Sequence, residues 1–542
     1  MSARRAAAGI AGAAGLIAVT TLFARFAGVA RIFVFADSVR ARGVGEVYQS
    51  VNALPNVLFE VAAGGILAAV AVPLIAHWLG AGERERADGI ASVLLTWALV
   101  VLVPLALLLW VAAPAISELM VEDFDPQARE VGARLLRIFA IQLPLYGIGI
   151  ILTGLLQAHR RFLMAALAPL LSSVVVLASY LWYGSLTNGE TAPSRVGDEA
   201  LTVLGWGTTL GVVALSLPLV VPALRTGWRW RPSLRLAPSD AKRIGGLAGA
   251  GIVALLAQQA AVLATMWLTN HSGDRGAFPV YQYVQAVYVL PYAVLAVPVA
   301  VSAFPALASR TGAGEEVGAT LARALRGVLV LTGLSVGVLL AAAPAIGAFF
   351  QLLDSRRGDA GSSPASLSAM SGALVTYAPG LVGFGLTALL TRALYVKGRP
   401  LHAALAVAAG WLVATLPIVV VGPDQGPGAT LRALGLASSL GMSLSGVLLC
   451  LLVRREWGED ATRGAARTTG ALVVAAAVAL GVGDLVTHGR ALDDLVEVLV
   501  VGVAAGAAAL VAGLVVLGWA DREMMGDVLR RGRARRRGGE AS

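Results

Sequence analysis

The stretch TTLFARFAGVARIFVFA, residues 20–36, is an apolar run interrupted by two arginines, Arg25 and Arg31. An arginine inside a membrane helix costs roughly 2.5–3.5 kcal/mol on insertion scales, and a chain carries two where an acidic partner, a water-filled cavity or an anionic ligand offsets the cost. On an ideal helix, positions 25 and 31 point roughly 120° apart, so they do not form a single stripe. Arg25 lies about 24 Å along the helix from residue 9, too deep to reach water easily, whereas Arg31 is near enough to the far face to snorkel there. Gly28 between them would tolerate a bend.

The rest of the chain extends the membrane reading. Of its 542 residues, 57% are hydrophobic and 14% charged, with a mean hydropathy of +0.78; a soluble chain carries about 25% charged residues. A bilayer crossing needs about 20 apolar residues. Runs of that kind predict an all-α polytopic protein with fourteen segments, at 9–37, 44–79, 89–116, 128–158, 161–186, 199–224, 241–270, 277–309, 317–351, 367–397, 400–421, 430–453, 466–487 and 495–519. The connecting loops alternate in charge. Of the 42 basic residues, 28 fall on the side that holds both termini, which the positive-inside rule makes cytoplasmic. The net charge of +10 therefore reports orientation, and no nucleic-acid partner is expected.

The N-terminal MSARRAAAGIAGAAGLIAV has the order of a signal peptide, but the apolar run continues to Ala36 and carries both arginines with it, which predicts an uncleaved first helix. The tail from Arg530 to Arg537 reads as a topogenic anchor that touches anionic lipid, or as a docking site for a partner. Cys450 is the single cysteine, so no internal disulfide forms, and the five histidines lack metal-ligand spacing. No metal and no cofactor are expected.

The chain repeats itself. LTGLLQAHRRFLMAALAP from Leu152 aligns without gaps with LTRALYVKGRPLHAALAV from Leu390, an offset of 238 residues, with Thr153/Thr391 and Arg161/Arg399 the most telling matches. Leu54-Pro55 in the second segment corresponds to Leu290-Pro291 in the eighth, each followed by a further proline, Pro73 or Pro305. A shift of six segments is even, so the repeats run parallel. The expected organisation is an N-lobe at 1–224, a C-lobe at 225–454, two further helices at 455–520 and a basic tail at 521–542. Transporters built this way bind near the membrane midplane at the repeat interface and work by alternating access.

Buried charge is unequal between the lobes. The first has Arg25 and Arg31, with Glu46 and Glu60 in the second segment and Arg134 and Arg137 near the start of the fourth. The seventh segment, which matches the first, offers only Gln258 and Gln259, and Arg392 is the main charge of the second lobe. One reading pairs Arg25 and Arg31 with Glu60 and Glu46 as internal ties. The other makes them a cationic surface for an anionic substrate. Asn52 and Asn56 flank Leu54-Pro55 and serve either the carbonyls freed by the proline or a ligand. GAGEEVG at 312–318 lacks the lysine of a phosphate-binding loop.

Three stretches resemble the MurJ/MviN lipid II flippases: ARFAGVAR at 24–31 followed by LPNVLFEVAAGGILAAVAVPLIA at 54–76; LLQAHRRFLMAALAPLLSSVVV at 155–176; and VLPYAVLAVPVAVSAFPALASR at 289–310, the last as in actinobacterial members. The similarity runs over roughly residues 10–450. It implies the fourteen-helix fold of the multidrug/oligosaccharidyl-lipid/polysaccharide exporter superfamily, a cationic central cavity and a groove along the last two helices for the polyprenyl tail. By position, Arg25 and Arg31 match the two arginines that the family uses on the lipid's diphosphate, and Glu46 matches its acid at the start of helix 2. The chain departs from the family where Phe59 and Glu60 replace an arginine pair and Gln285 and Ala286 replace an Asp-Arg pair. The segment 400–421 has no acid for sodium.

The resulting expectation is a flippase that carries a polyprenyl-diphosphate-linked peptidoglycan precursor from the cytoplasmic to the outer leaflet of a bacterial plasma membrane, without enzymatic chemistry. Its substrate-binding residues would be Arg25, Arg31, Glu46, Asn52, Asn56 and Glu60. Its partners would be the anionic lipid substrate, membrane lipids and cell-wall synthesis proteins. The rivals are a flippase for another polyprenyl-linked saccharide, a solute or drug antiporter of the same superfamily, and a transport-inactive scaffold for cell-wall assembly. Cationic drugs call for an acidic cavity, which Arg25 and Arg31 oppose.

Overall fold

The computed structural model describes residues 2–121, 126–271, 276–299, 318–356, 365–421 and 425–521. The basic tail, Pro305 and the GAGEEVG loop up to Val317 lie outside them. Every regular element among the described residues is helical. In chain order these begin with α1 (Ser2–Ser38), α2 (Val44–Phe59), a π turn (Glu60–Gly64), α3 (Gly65–Gly80), α4 (Arg84–Met120), α5 (Pro126–Ala140), α6 (Gln142–Ala158), α7 (Phe162–Thr187), α8 (Asp198–Ser216) and α9 (Pro238–Asn270). They continue with α10 (Ala277–Pro291), a π turn (Tyr292–Ala296), α11 (Gly318–Ser355), α12 (Met370–Tyr377), α13 (Gly380–Val396), α14 (Pro400–Ala414), α15 (Gly426–Trp457), α16 (Ala465–Thr487) and α17 (Leu495–Ala520).

Twelve helices among the described residues are long and apolar enough to span a membrane, and the α12–α13 pair, bent by 42°, makes a thirteenth if it is one span. The chain is thus a multi-pass membrane protein. The expected second segment is helical from Val44 to Gly80 but changes type at its π turn, and only Val70–Gly80 enters the tally, as a shorter apolar helix. Each π turn lies just beyond a Leu-Pro pair, Leu54-Pro55 or Leu290-Pro291. Proline removes a helical amide and crowds the preceding turn, and a π turn is one way the helix absorbs that.

The repeat seen in sequence has a local structural counterpart. Arg160 and Gly398, 238 residues apart, both adopt left-handed backbone, with φ of 59° and 68°. The amides around them bond alike: Arg160 to Gln157 and Gly398 to Tyr395, then Arg161 to Leu156 and Arg399 to Leu394. The same turn therefore closes α6 and α13.

Packing divides the chain into two compact units, Met1–His271 with Leu353–Pro364 and Ser272–Leu352 with Ala365–Ser542. The boundary expected from the repeat was at 224/225. Packing instead leaves α9 in the first unit, because Leu255 lies against Gly65 and Asn270 accepts a hydrogen bond from Ser50 at 3.1 Å while donating to the Met120 carbonyl at 3.3 Å. Within this unit α1 packs along α7, α7 along α8, and α4 against α5 and α6. In the second unit α14 and α15 approach through Gly410 and Gly441. A Cβ on either would fall inside van der Waals contact with the other's carbonyl oxygen, the close approach that small residues permit between membrane helices. The start of α11 and the end of α17 are tied by Arg326, which pairs with Asp521 at 2.6 Å, and Thr468 of α16 donates to the same carboxylate at 2.6 Å.

Candidate functional site

α1 runs as one continuous helix through Gly28. A Cβ on Gly28 would meet nothing within 4 Å, which leaves open space on that face between the two arginines. Arg25 is exposed and Arg31 half-buried. Among the described residues neither enters an ion pair, so Glu46 and Glu60 do not neutralise them. Among the described residues the two arginines have no acidic partner.

The surroundings of Arg31 are hydroxyl-rich. Its charge acts on Tyr48 of α2, Tyr146 of α6 and Tyr180 of α7. The Tyr48 hydroxyl is 2.8 Å from that of Tyr180 and 2.9 Å from Thr208 Oγ1, and Phe35 packs on both rings. These buried contacts fix α1 against α2 and α7 one turn beyond Arg31. Tyr146 donates to Gln142 Oε1 at 3.3 Å and shares a hydrogen bond with Asn56. Phe59 packs on its ring, 5.3 Å between centroids.

Asn52, Asn56 and Glu60 follow at four-residue intervals on α2, which places them on one stripe about 12 Å long. Asn56 Nδ2 donates to the Asn52 carbonyl at 3.1 Å, next to the Val51 carbonyl that Pro55 deprives of its amide. Asn52 Oδ1 is buried and meets no hydrogen-bond partner among the described residues. Glu60 is half-buried at the first position of the π turn, and its carboxylate lies over Gly64, 2.9 Å from where a Cβ would stand. Glycine at 64 therefore makes room for the acid along its own helix. Glu46 stands apart, 1% exposed in the first turn of α2, where the helix dipole favours an acid.

Arg134 and Arg137, also singled out in sequence, meet partners away from α1. Arg134 pairs with Asp198 and bonds Thr202, and Arg137 sits over the Trp110 ring at 5.4 Å. Sequence reading missed a pair buried on both sides. Arg40, 1% exposed, meets Asp354 at 3.3 Å and donates to the Gly189 carbonyl at 3.0 Å. This corner is braced by the loop at 188–197, whose Thr191 carbonyl accepts from Val44 N at 2.8 Å. In that loop, partial burial of Glu190 is outweighed by amide hydrogen bonds from Ala192 and Thr191 and by the Arg195 charge, which together hold its carboxyl below the usual range. Arg40 and Asp354 are 314 residues apart, so no local pattern announces the pair; only the unusual cost of a buried charge would have prompted a search for one. Among the described residues no group of three or more metal-ligating side chains occurs.

The family model for lipid II flippase MurJ matches residues 36–493. A relative from Synechocystis sp., described as a probable lipid II flippase MurJ, is 28% identical over 222 residues, so the matched part spans 40% of this chain and 40% of that relative's length. A solved structure of lipid II flippase MurJ in an inward closed conformation superposes with a TM-score of 0.70 at 17% identity, covering 94% of this chain and 99% of that one. An inward-facing multidrug resistance transporter of the MATE family gives 0.58 at 14% identity, covering 80% and 95%. Both likenesses show the fold, and the family match over most of the sequence assigns the membership: this chain belongs to the MurJ family of lipid II flippases.

Proposed function

We propose that this chain translocates lipid II, a polyprenyl-diphosphate-linked peptidoglycan precursor, from the cytoplasmic to the outer leaflet by alternating access. The observation that carries the reading is the uncompensated pair Arg25 and Arg31 beside open space in the first unit. A membrane helix that keeps two arginines without acids is suited to an anion, and a diphosphate accepts several charge-assisted hydrogen bonds from guanidinium groups. Asn52 and Asn56 add neutral donors and acceptors for sugar hydroxyls or peptide amides. Glu60 lies at the end of their stripe, with its carboxylate along its own helix over Gly64. Glu46 is buried and acts by position, holding the start of α2. The loop charge asymmetry supports cytoplasmic termini in a bacterial plasma membrane. The stretch 455–520 supplies the surface for the polyprenyl tail, and no covalent chemistry is assigned.

The test is competition for the purified chain in nanodiscs. Labelled lipid II should be displaced by undecaprenyl diphosphate and not by an uncharged polyprenol or a cationic drug. Displacement by the cationic drug alone would move the assignment to an antiporter.

A further inference from the structure

The segment RTGWRWRPSLRLA at 225–237 connects α8 to α9 and contains no helix beyond its opening turn. It is nevertheless a built structure. Arg84 of α4 donates to the Thr226 carbonyl, and Trp228 Nε1 donates to the Asp88 carbonyl at 3.2 Å. Arg231 N donates to Ser92 Oγ at 3.3 Å, and Trp230 Nε1 and Ser233 N both donate to Thr96 Oγ1, at 3.2 and 3.3 Å. Trp97 Nε1 closes the series on the Leu234 carbonyl at 3.2 Å. The strap thus lies along α4 from position 88 to 97, about 13 Å of helix axis.

That stretch of α4 is where its character changes. Its charged side chains within the first turns, Arg84, Glu85, Arg86 and Asp88, precede a mostly apolar run with no further charge until Glu118. The helix has 37 residues, about 55 Å, against a hydrocarbon core of about 30 Å. The strap therefore lies at the polar–apolar boundary. Trp228 is buried against α4, while Trp230 and Leu234 are 45% and 58% exposed. Arg225, Arg229, Arg231 and Arg235 are all exposed, and none makes an ion pair among the described residues. The acid within Coulombic reach of Arg231 is Asp88, which Arg84 and His159 share. Asp240, just past the strap, is taken by Arg86 at 3.2 Å.

We infer that this strap is a binding surface for anionic phospholipid headgroups of the leaflet it faces, with Trp230 and Leu234 seated among the acyl chains and Arg225, Arg229, Arg231 and Arg235 on the phosphates. Tryptophan favours the membrane interface, and arginine there attracts anionic lipid with a strength that falls with salt. Fixed backbone makes the arginines a patterned surface and not a flexible tether.

The experiment uses the full chain in vesicles containing brominated phosphatidylglycerol or, at equal mole fraction, brominated phosphatidylcholine. The Trp230 signal is the difference between the wild-type and Trp230→Phe proteins. It should be quenched at least about twofold more by the glycerol lipid, and high salt should remove the excess. Replacing Arg225, Arg229, Arg231 and Arg235 by glutamine should abolish the preference; replacing them by lysine should keep it. Equal quenching by the two lipids, no quenching by either, a preference insensitive to salt, or a preference that survives in the glutamine variant would each overturn the inference. The salt and lysine arms keep the question open to refutation if the glutamine variant does not fold.

Discussion

Replacing Arg31 by glutamine should weaken binding of the diphosphate lipid more than the same change at Arg25. Arg31 is half-buried among Tyr48, Tyr146 and Tyr180, whereas Arg25 is exposed. A hydrogen bond to a charged group contributes about 1.5–3 kcal/mol when partly shielded from water, so Arg31→Gln should raise Kd about 10- to 150-fold. An exposed ionic contact contributes about 0.2–1 kcal/mol, so Arg25→Gln should raise it about fivefold or less. Glu60→Gln provides the counterpart. Because Glu60 makes no ion pair with either arginine, removing its charge should change Kd by less than about threefold, the ordinary effect of a distant charge. Binding of fluorescent lipid II to the chain in nanodiscs, at two ionic strengths, measures all three. If Glu60→Gln tightened binding tenfold, the acid would be a competitor for the arginines and the reasoning from uncompensated charge would fail. If Arg25→Gln cost more than Arg31→Gln, burial would be the wrong guide to their ranking.

Other parts of the structure are open to equally direct checks. Asp354→Ala should lower the melting temperature sharply, since a buried charge left without its partner costs about 3–5 kcal/mol, while the double change Arg40→Met with Asp354→Leu should recover most of the loss in a thermal melt. Gly441→Ala forces α14 and α15 apart and should cost about 1–3 kcal/mol, as overpacking does, visible in the same melt; an unchanged melting temperature would mean that the contact yields freely. Glu190 is held below its ordinary value of 4.5 in the folded chain, so its stabilising effect is complete above about that pH and is lost as pH falls through the lower folded value. Hydrogen exchange of 188–197, corrected for intrinsic rates, should rise in that window, and Glu190→Gln should flatten the response.

Much of this fold was legible in sequence because the bilayer imposes length and hydropathy on each span. The repeat was legible because Arg161 and Arg399 sit after the same left-handed turn, a local device that leaves a local pattern. The two arginines were legible through their cost. What escaped depended on contacts between distant positions. The Arg40–Asp354 pair joins an ordinary-looking helix end to another 314 residues away. The place of α9 in the first unit is decided by Leu255 and Asn270 finding partners there, which no repeat offset encodes. Whether Glu60 would neutralise Arg25 or Arg31 turned on the π turn and on Gly64, which together let the carboxylate lie along its own helix.

The proposed role of Arg25 and Arg31 is to carry the anionic head of lipid II through the membrane. Its most direct measurement is the amount of lipid II accessible from the outer leaflet in cells whose sole copy of this protein is the Arg25→Gln, Arg31→Gln double variant, with membrane abundance matched to wild type. Outer-leaflet lipid II should collapse in these cells while the total pool rises. Unchanged outer-leaflet lipid II at equal abundance would contradict it.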